Sequence, residues 1–153
     1  TETPEAIVQT LIGGVVELVR GAVPWRPGAL ELLIDLKAAG VPTALVTMSY
    51  TSLVEPVVAA LPGDLLDVVV TGDQVVLGKP HPEPYLTAAR ALGVLAQDCL
   101  AIEDSDNGAR SAEAAGCTVL VVPNHVPVPA GDGRRFVDTL AGLRVSDLSS
   151  LRS

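Results

Sequence analysis

Thr47, Lys79 and the adjacent pair Glu103-Asp104 are the residues whose types and spacing could do chemistry together. Acids beside a lysine suit a divalent cation plus a phosphate: carboxylates ligate the metal, while lysine and hydroxyl hold phosphoryl oxygens. Each alone reads blandly. Thr47 is an ordinary strand-end threonine, Lys79 a solvated lysine, and Glu103-Asp104 an acidic pair favoured at a helix N-terminus. Their shared position in the chain's pattern lifts them. Each follows a short apolar run ending at Val46, Val70 or Ile102, and open parallel sheets bind ligands beyond the carboxyl ends of their strands.

The elements that must position them alternate regularly. Val41–Val46, Asp67–Val70, Cys99–Ile102 and Thr118–Val122 read as buried strands, short and without polar alternation. Helices are expected from Pro27 to Gly40, Ser52 to Ala60, Glu83 to Leu92 and Asn107 to Ala115, with a short closing helix between Leu140 and Leu151. That alternation predicts an α/β fold, a Rossmann-like parallel sheet with helices on both faces. Thr3-Pro4-Glu5 opens a further helix, with Ile7, Leu11, Val15 and Leu18 at helical spacing before Gly21. Pro24-Trp25-Arg26-Pro27 is a rigid connector, and Pro123–Gly133 reads as a surface loop.

Composition excludes several classes. The 153 residues carry 10 basic and 18 acidic side chains, a net −8, which argues against binding nucleic acid or an anionic membrane surface. Aromatics are only 3%, too few for base-stacking platforms. No apolar run reaches the roughly 18 residues of a membrane span. Cys99 and Cys117 make neither a disulfide framework nor a zinc site, so a reduced, cytoplasmic protein is expected. His81, between two prolines, reads as a loop histidine.

Three segments carry a resemblance. They are Leu45-Val46-Thr47-Met48-Ser49, Gly78-Lys79-Pro80-His81-Pro82-Glu83-Pro84-Tyr85, and Ala101-Ile102-Glu103-Asp104-Ser105-Asp106-Asn107-Gly108 continuing to Gly116. In this order and spacing the chain resembles the haloacid dehalogenase-like hydrolases, in their phosphatase and phosphomutase branch. The resemblance implies magnesium-dependent phosphoryl transfer from a small phosphorylated metabolite through an aspartyl-phosphate. It implies that Thr47 and the Met48 backbone N–H bind the phosphoryl group. Lys79 would neutralise that group, Asp104 would ligate Mg2+, and Glu103 would assist directly or through water.

The family's first motif, an aspartate pair supplying nucleophile and general acid, has no counterpart before Thr47. The acids there are Glu2, Glu5, Glu17, Glu31 and Asp35. Residues 1–22 are therefore expected to be the remnant of a helical cap, and 23–153 an α/β core whose first strand lies upstream. As it stands the chain is expected to be inactive. Two alternatives stay open: a non-catalytic fragment with a vestigial metal and phosphate site, and a sugar-phosphate mutase.

Overall fold

The computed structural model describes residues 25–151, and residues 6–9 as backbone. Six strands form one sheet: β1 (Ala6–Gln9), β2 (Thr43–Val46), β3 (Val68–Val70), β4 (Cys99–Glu103), β5 (Thr118–Val121) and β6 (Arg134–Phe136). Their order is β3-β2-β1-β4-β5-β6, and every pairing is parallel. The helices are α1 (Ala29–Ala38), α2 (Thr51–Ala59), α3 (Glu83–Leu92), α4 (Asp106–Ala115) and α5 (Val145–Leu151). The expected α/β architecture is therefore present, with boundaries displaced by a residue or two at most elements.

Strand parity sorts the core into two layers, because successive side chains face opposite sides of a sheet. Leu45, Leu100, Ile102, Leu120 and Val122 pack with Leu32, Leu33 and Leu36 of α1 and Leu148 of α5. Ala44, Val46, Ala101, Val119 and Val121 pack on the other face with Tyr85, Ala88 and Ala89 of α3 and Ala109 and Ala112 of α4. Residues on both faces are buried, which is why these strands read as continuous apolar runs. Glu103 shares parity with Cys99 and Ala101. That places its carboxylate on the face covered by α3 and α4.

Two expectations are corrected at the N-terminus. Ala6–Gln9, placed by their spacing within a helix from Thr3 to Gly21, form β1 instead. Ile7 and Val8 are β-branched residues that suit a strand as readily as a helix. The central place expected to need a strand from upstream is filled: β1 pairs Gln9 with Leu45 of β2 and with Ile102 of β4. The remainder of the expected cap remnant, residues 1–5 and 10–22, lies outside the described residues.

Beyond the Pro123–Gly133 loop, Arg134 lies in an element that no apolar run marks. Asp132-Gly133-Arg134-Arg135 reads as a solvated turn, yet Arg134 begins β6 and is buried. Its guanidinium reaches Glu113 at 2.6 Å and Asp106 at 2.8 Å, tying β6 to α4. The Glu113 carboxylate, followed by that of Asp106, holds its pKa above the ordinary value.

Candidate phosphate and cation site

The carboxyl ends of β2 and β4 and the loop before α3 bring the expected residues together. Thr47 follows β2 directly, is buried, and donates its N–H to Val70 O at 2.9 Å. Its Oγ1 accepts the Ser49 N–H at 3.1 Å, which leaves the hydroxyl proton free to donate. The turn after β3 secures this loop. Gly72 packs so closely on the Met48 carbonyl that a Cβ could not be accommodated, and its N–H donates to Ser49 O at 2.9 Å. Asp73 accepts the Thr51 N–H at 3.0 Å and the Thr51 and Thr71 hydroxyls at 2.8 and 2.7 Å. Those hydrogen bonds, Thr71's foremost, hold the Asp73 carboxyl below its ordinary pKa.

Lys79 is the centre of the arrangement. Its ammonium donates to Val46 O at 3.1 Å and to Glu103 Oε1 at 2.6 Å. The side chains are 8% and 0% exposed, so this is a buried ion pair at the rim of the sheet. Burial pulls the Lys79 pKa down from its ordinary value, and the Glu103 carboxylate opposes that fall. Glu103 Oε1 also accepts the hydroxyl of the fully buried Tyr85, whose ring centroid lies 5.2 Å from the Lys79 ammonium.

The second oxygen of Glu103 behaves differently. Oε2 is buried with no hydrogen-bond partner among the described residues and faces Gly108 in the first turn of α4. A Cβ at position 108 would be driven into that carboxylate. Gly108→Ala sets two effects against each other. Alanine favours a helix interior by about 1 kcal/mol over glycine, whereas overpacking costs about 1–3 kcal/mol. Glu103 cannot retreat, because Lys79 and Tyr85 hold its other oxygen. The clash wins, and Gly108→Ala should lower the urea midpoint; a midpoint at or above wild type would show that Glu103 is free to move.

Asp104 lies just beyond β4, with Oδ1 buried and unpartnered among the described residues. Burial, then the neighbouring Glu103 charge, pushes its pKa up; Arg26 and Lys79 act in the opposite sense. Arg26 itself donates to Val122 O at 3.0 Å and Pro123 O at 3.2 Å, fastening the connector to the exit of β5. An orphaned, partly desolvated carboxylate oxygen suits a hard divalent cation, which prefers oxygen ligands. Among the described residues no three His, Cys, Asp or Glu side chains converge as a complete metal cage. A cation held by one carboxylate plus substrate oxygens and waters, the habit of magnesium, remains compatible with this donor set.

The structure thus brings together Thr47, Met48, Lys79, Glu103 and Asp104. It leaves His81 outside: its Nδ1 accepts the Glu83 N–H at 3.1 Å and its carbonyl accepts Ser111 Oγ at 2.6 Å, a loop-holding role. Sequence reasoning missed Tyr85, Gly108 and Arg26 as partners of the acids. A tyrosine one turn into the helix behind Lys79 was the available signal for the first. Nothing local pointed to Arg26.

Comparison with known proteins bears on the family and the fold. The haloacid dehalogenase-like hydrolase profile matches residues 2–116. The protein CbbY of Rhodobacter capsulatus is 39% identical over 137 residues, covering 87% of this chain and 58% of its own. Hexitol phosphatase A of Escherichia coli is 41% identical over 98 residues, covering 63% of this chain and 44% of its own. The crystal structure of CbbY from Rhodobacter sphaeroides in complex with phosphate superposes with a TM-score of 0.75 at 33% identity, covering 84% of this chain and 60% of that one. The chain spans less than two thirds of the length of these relatives. A profile match across most of the chain, together with the same sheet in a solved relative, makes it a member of the haloacid dehalogenase-like hydrolase family.

Proposed function

We propose that this chain is the phosphoryl-handling core of a magnesium-dependent phosphatase acting on a small phosphorylated metabolite. The observation that carries the reading is the Lys79 ammonium at the exit of β2, held between Glu103 and the carbonyl of Val46, the residue before Thr47. Lys79 neutralises the phosphoryl group, and Thr47 Oγ1 and the Met48 N–H donate to its oxygens. Asp104 holds Mg2+ through the oxygen that has no partner among the described residues, and Glu103 keeps Lys79 charged and in place. When bound, the cation adds charge neutralisation and orientation of the phosphoryl oxygens. The covalent step, formation of an aspartyl-phosphate, requires a carboxylate in line with the phosphorus, and the first aspartate in the chain is Asp35 of α1. Cys99 and Cys117, both buried and in no disulfide among the described residues, suit a reducing cytoplasmic setting.

Magnesium tests the cation assignment. A ligand bound only by the folded chain stabilises it, so millimolar Mg2+ should raise the melting temperature. Asp104→Asn should abolish that response. It should also raise the melting temperature without metal at neutral pH, because a carboxyl whose folded pKa lies above its unfolded value loses stability as pH rises through that window. An undiminished Mg2+ response in Asp104→Asn would place the cation elsewhere.

A further inference from the structure

The Lys79 loop is fastened to the exit of β2 through sulfur. The Lys79 backbone N–H donates to Met48 Sδ at 3.3 Å. The same sulfur fills the space beside Gly78, where a Cβ would come within 2.9 Å of it. Met48 is itself clamped from behind, its carbonyl lying against Gly72. It is the sole methionine of the chain and is only half-buried, so a small oxidant can reach it.

We propose that Met48 is a peroxide-sensitive positioning residue: its thioether latches the Lys79 loop to the Thr47 loop, and its oxidation to the sulfoxide weakens anion binding at the site. The proposal rests on the reading of Lys79 as a phosphate ligand. In the chemical step a sulfur lone pair attacks one oxygen of hydrogen peroxide. The O–O bond breaks, the sulfur keeps that oxygen, and the departing hydroxide takes the hydrogen of the transferred oxygen as a proton and leaves as water. The product is polar, chiral and one oxygen larger. The slot between Gly78 and the Lys79 N–H matches a bare thioether, so the loop must shift to admit the new oxygen. Lys79 Nζ, carried on the same residue, is then drawn from its place between Val46 O and Glu103.

The test uses the intact chain and inorganic phosphate. Hydrogen peroxide should add one oxygen, located by peptide mass at Met48, and calorimetry should show phosphate binding weakened about fivefold or more. Methionine sulfoxide reductases should restore it, which sets aside any oxidation of cysteine or tryptophan. Met48→Leu, which lacks the acceptor sulfur, should bind phosphate more weakly than the untreated wild type and lose nothing further to peroxide. The Lys79 backbone amide resonance, read without phosphate, should move on oxidation. Full conversion to the sulfoxide with unchanged phosphate affinity would overturn the latch. If the unoxidised chain binds no phosphate, the functional reading fails on its own; a moved Lys79 amide then still supports the latch and an unmoved one rejects it.

Discussion

No release of p-nitrophenol above buffer is expected when the 153-residue chain is given p-nitrophenyl phosphate and magnesium. Lysine, threonine and a bound cation can neutralise a phosphoryl group, but double displacement also needs a nucleophile held in line. Glu103 is engaged with Lys79 and Tyr85, and Asp73 with Thr51 and Thr71. Asp106 is engaged with Arg134. Among the described residues Asp104 is the remaining acid at the rim, and it is assigned to the cation. Positioning contributes on the order of 10⁵-fold or more in well-oriented reactions, so an acid a few ångströms astray cannot substitute. A chain extended upstream by a strand bearing Asp-x-Asp should gain magnesium-dependent turnover, provided that strand displaces β1 from between β2 and β4. Turnover by the short chain that disappears in Asp104→Ala would show that a nucleophile is already present.

Lys79→Ala should have the second largest effect, and it should act on two quantities at once. Losing a charge-assisted hydrogen bond weakens phosphate binding by about 1.5–3 kcal/mol, roughly 10- to 150-fold. Stability should fall as well, because Glu103 is left buried without its counter-ion, and breaking a buried pair costs about 3–5 kcal/mol. The double variant Lys79→Met, Glu103→Leu separates the two. It removes both charges and should recover much of the stability while binding phosphate as weakly as the single variant. Phosphate titrations beside urea unfolding of the three chains measure both quantities. Equal phosphate affinity in wild type and Lys79→Ala would remove Lys79 from the site.

Where the sequence carried periodic or capping signals, the fold was legible. Helix α3 runs over Glu83–Leu92 as its spacing and flanking Pro82 and Gly93 indicate, and α4 is capped by Ser105 and ends at Gly116. Strand β6 escaped notice because Arg134-Arg135-Phe136 offers no apolar run; it is a strand because Arg134 finds two carboxylates on α4. Ala6–Gln9 misled because a four-residue segment holding one Ile and one Val suits either period. In the candidate site, the placement of Thr47, Lys79, Glu103 and Asp104 at one rim of the sheet was legible from their position after apolar runs. Tyr85 and Gly108 were not assigned roles, since their contacts with Glu103 depend on how α3 and α4 dock on the sheet. No local pattern encodes that docking.

The two faces of the sheet should tolerate genetic drift unequally. On the leucine face, exchange among Leu, Ile and Met conserves volume and typically costs less than about 1.5 kcal/mol. The opposite face is lined by Ala44, Ala88, Ala89, Ala101, Ala109 and Ala112, where any added carbon must lift α3 or α4 off the strands. Those helices carry Tyr85 and Gly108, so lifting them loosens the grip on Glu103 and releases Lys79. A row of methyl groups, none of them near a reacting atom, therefore serves as the gauge that sets the spacing of the charged centre.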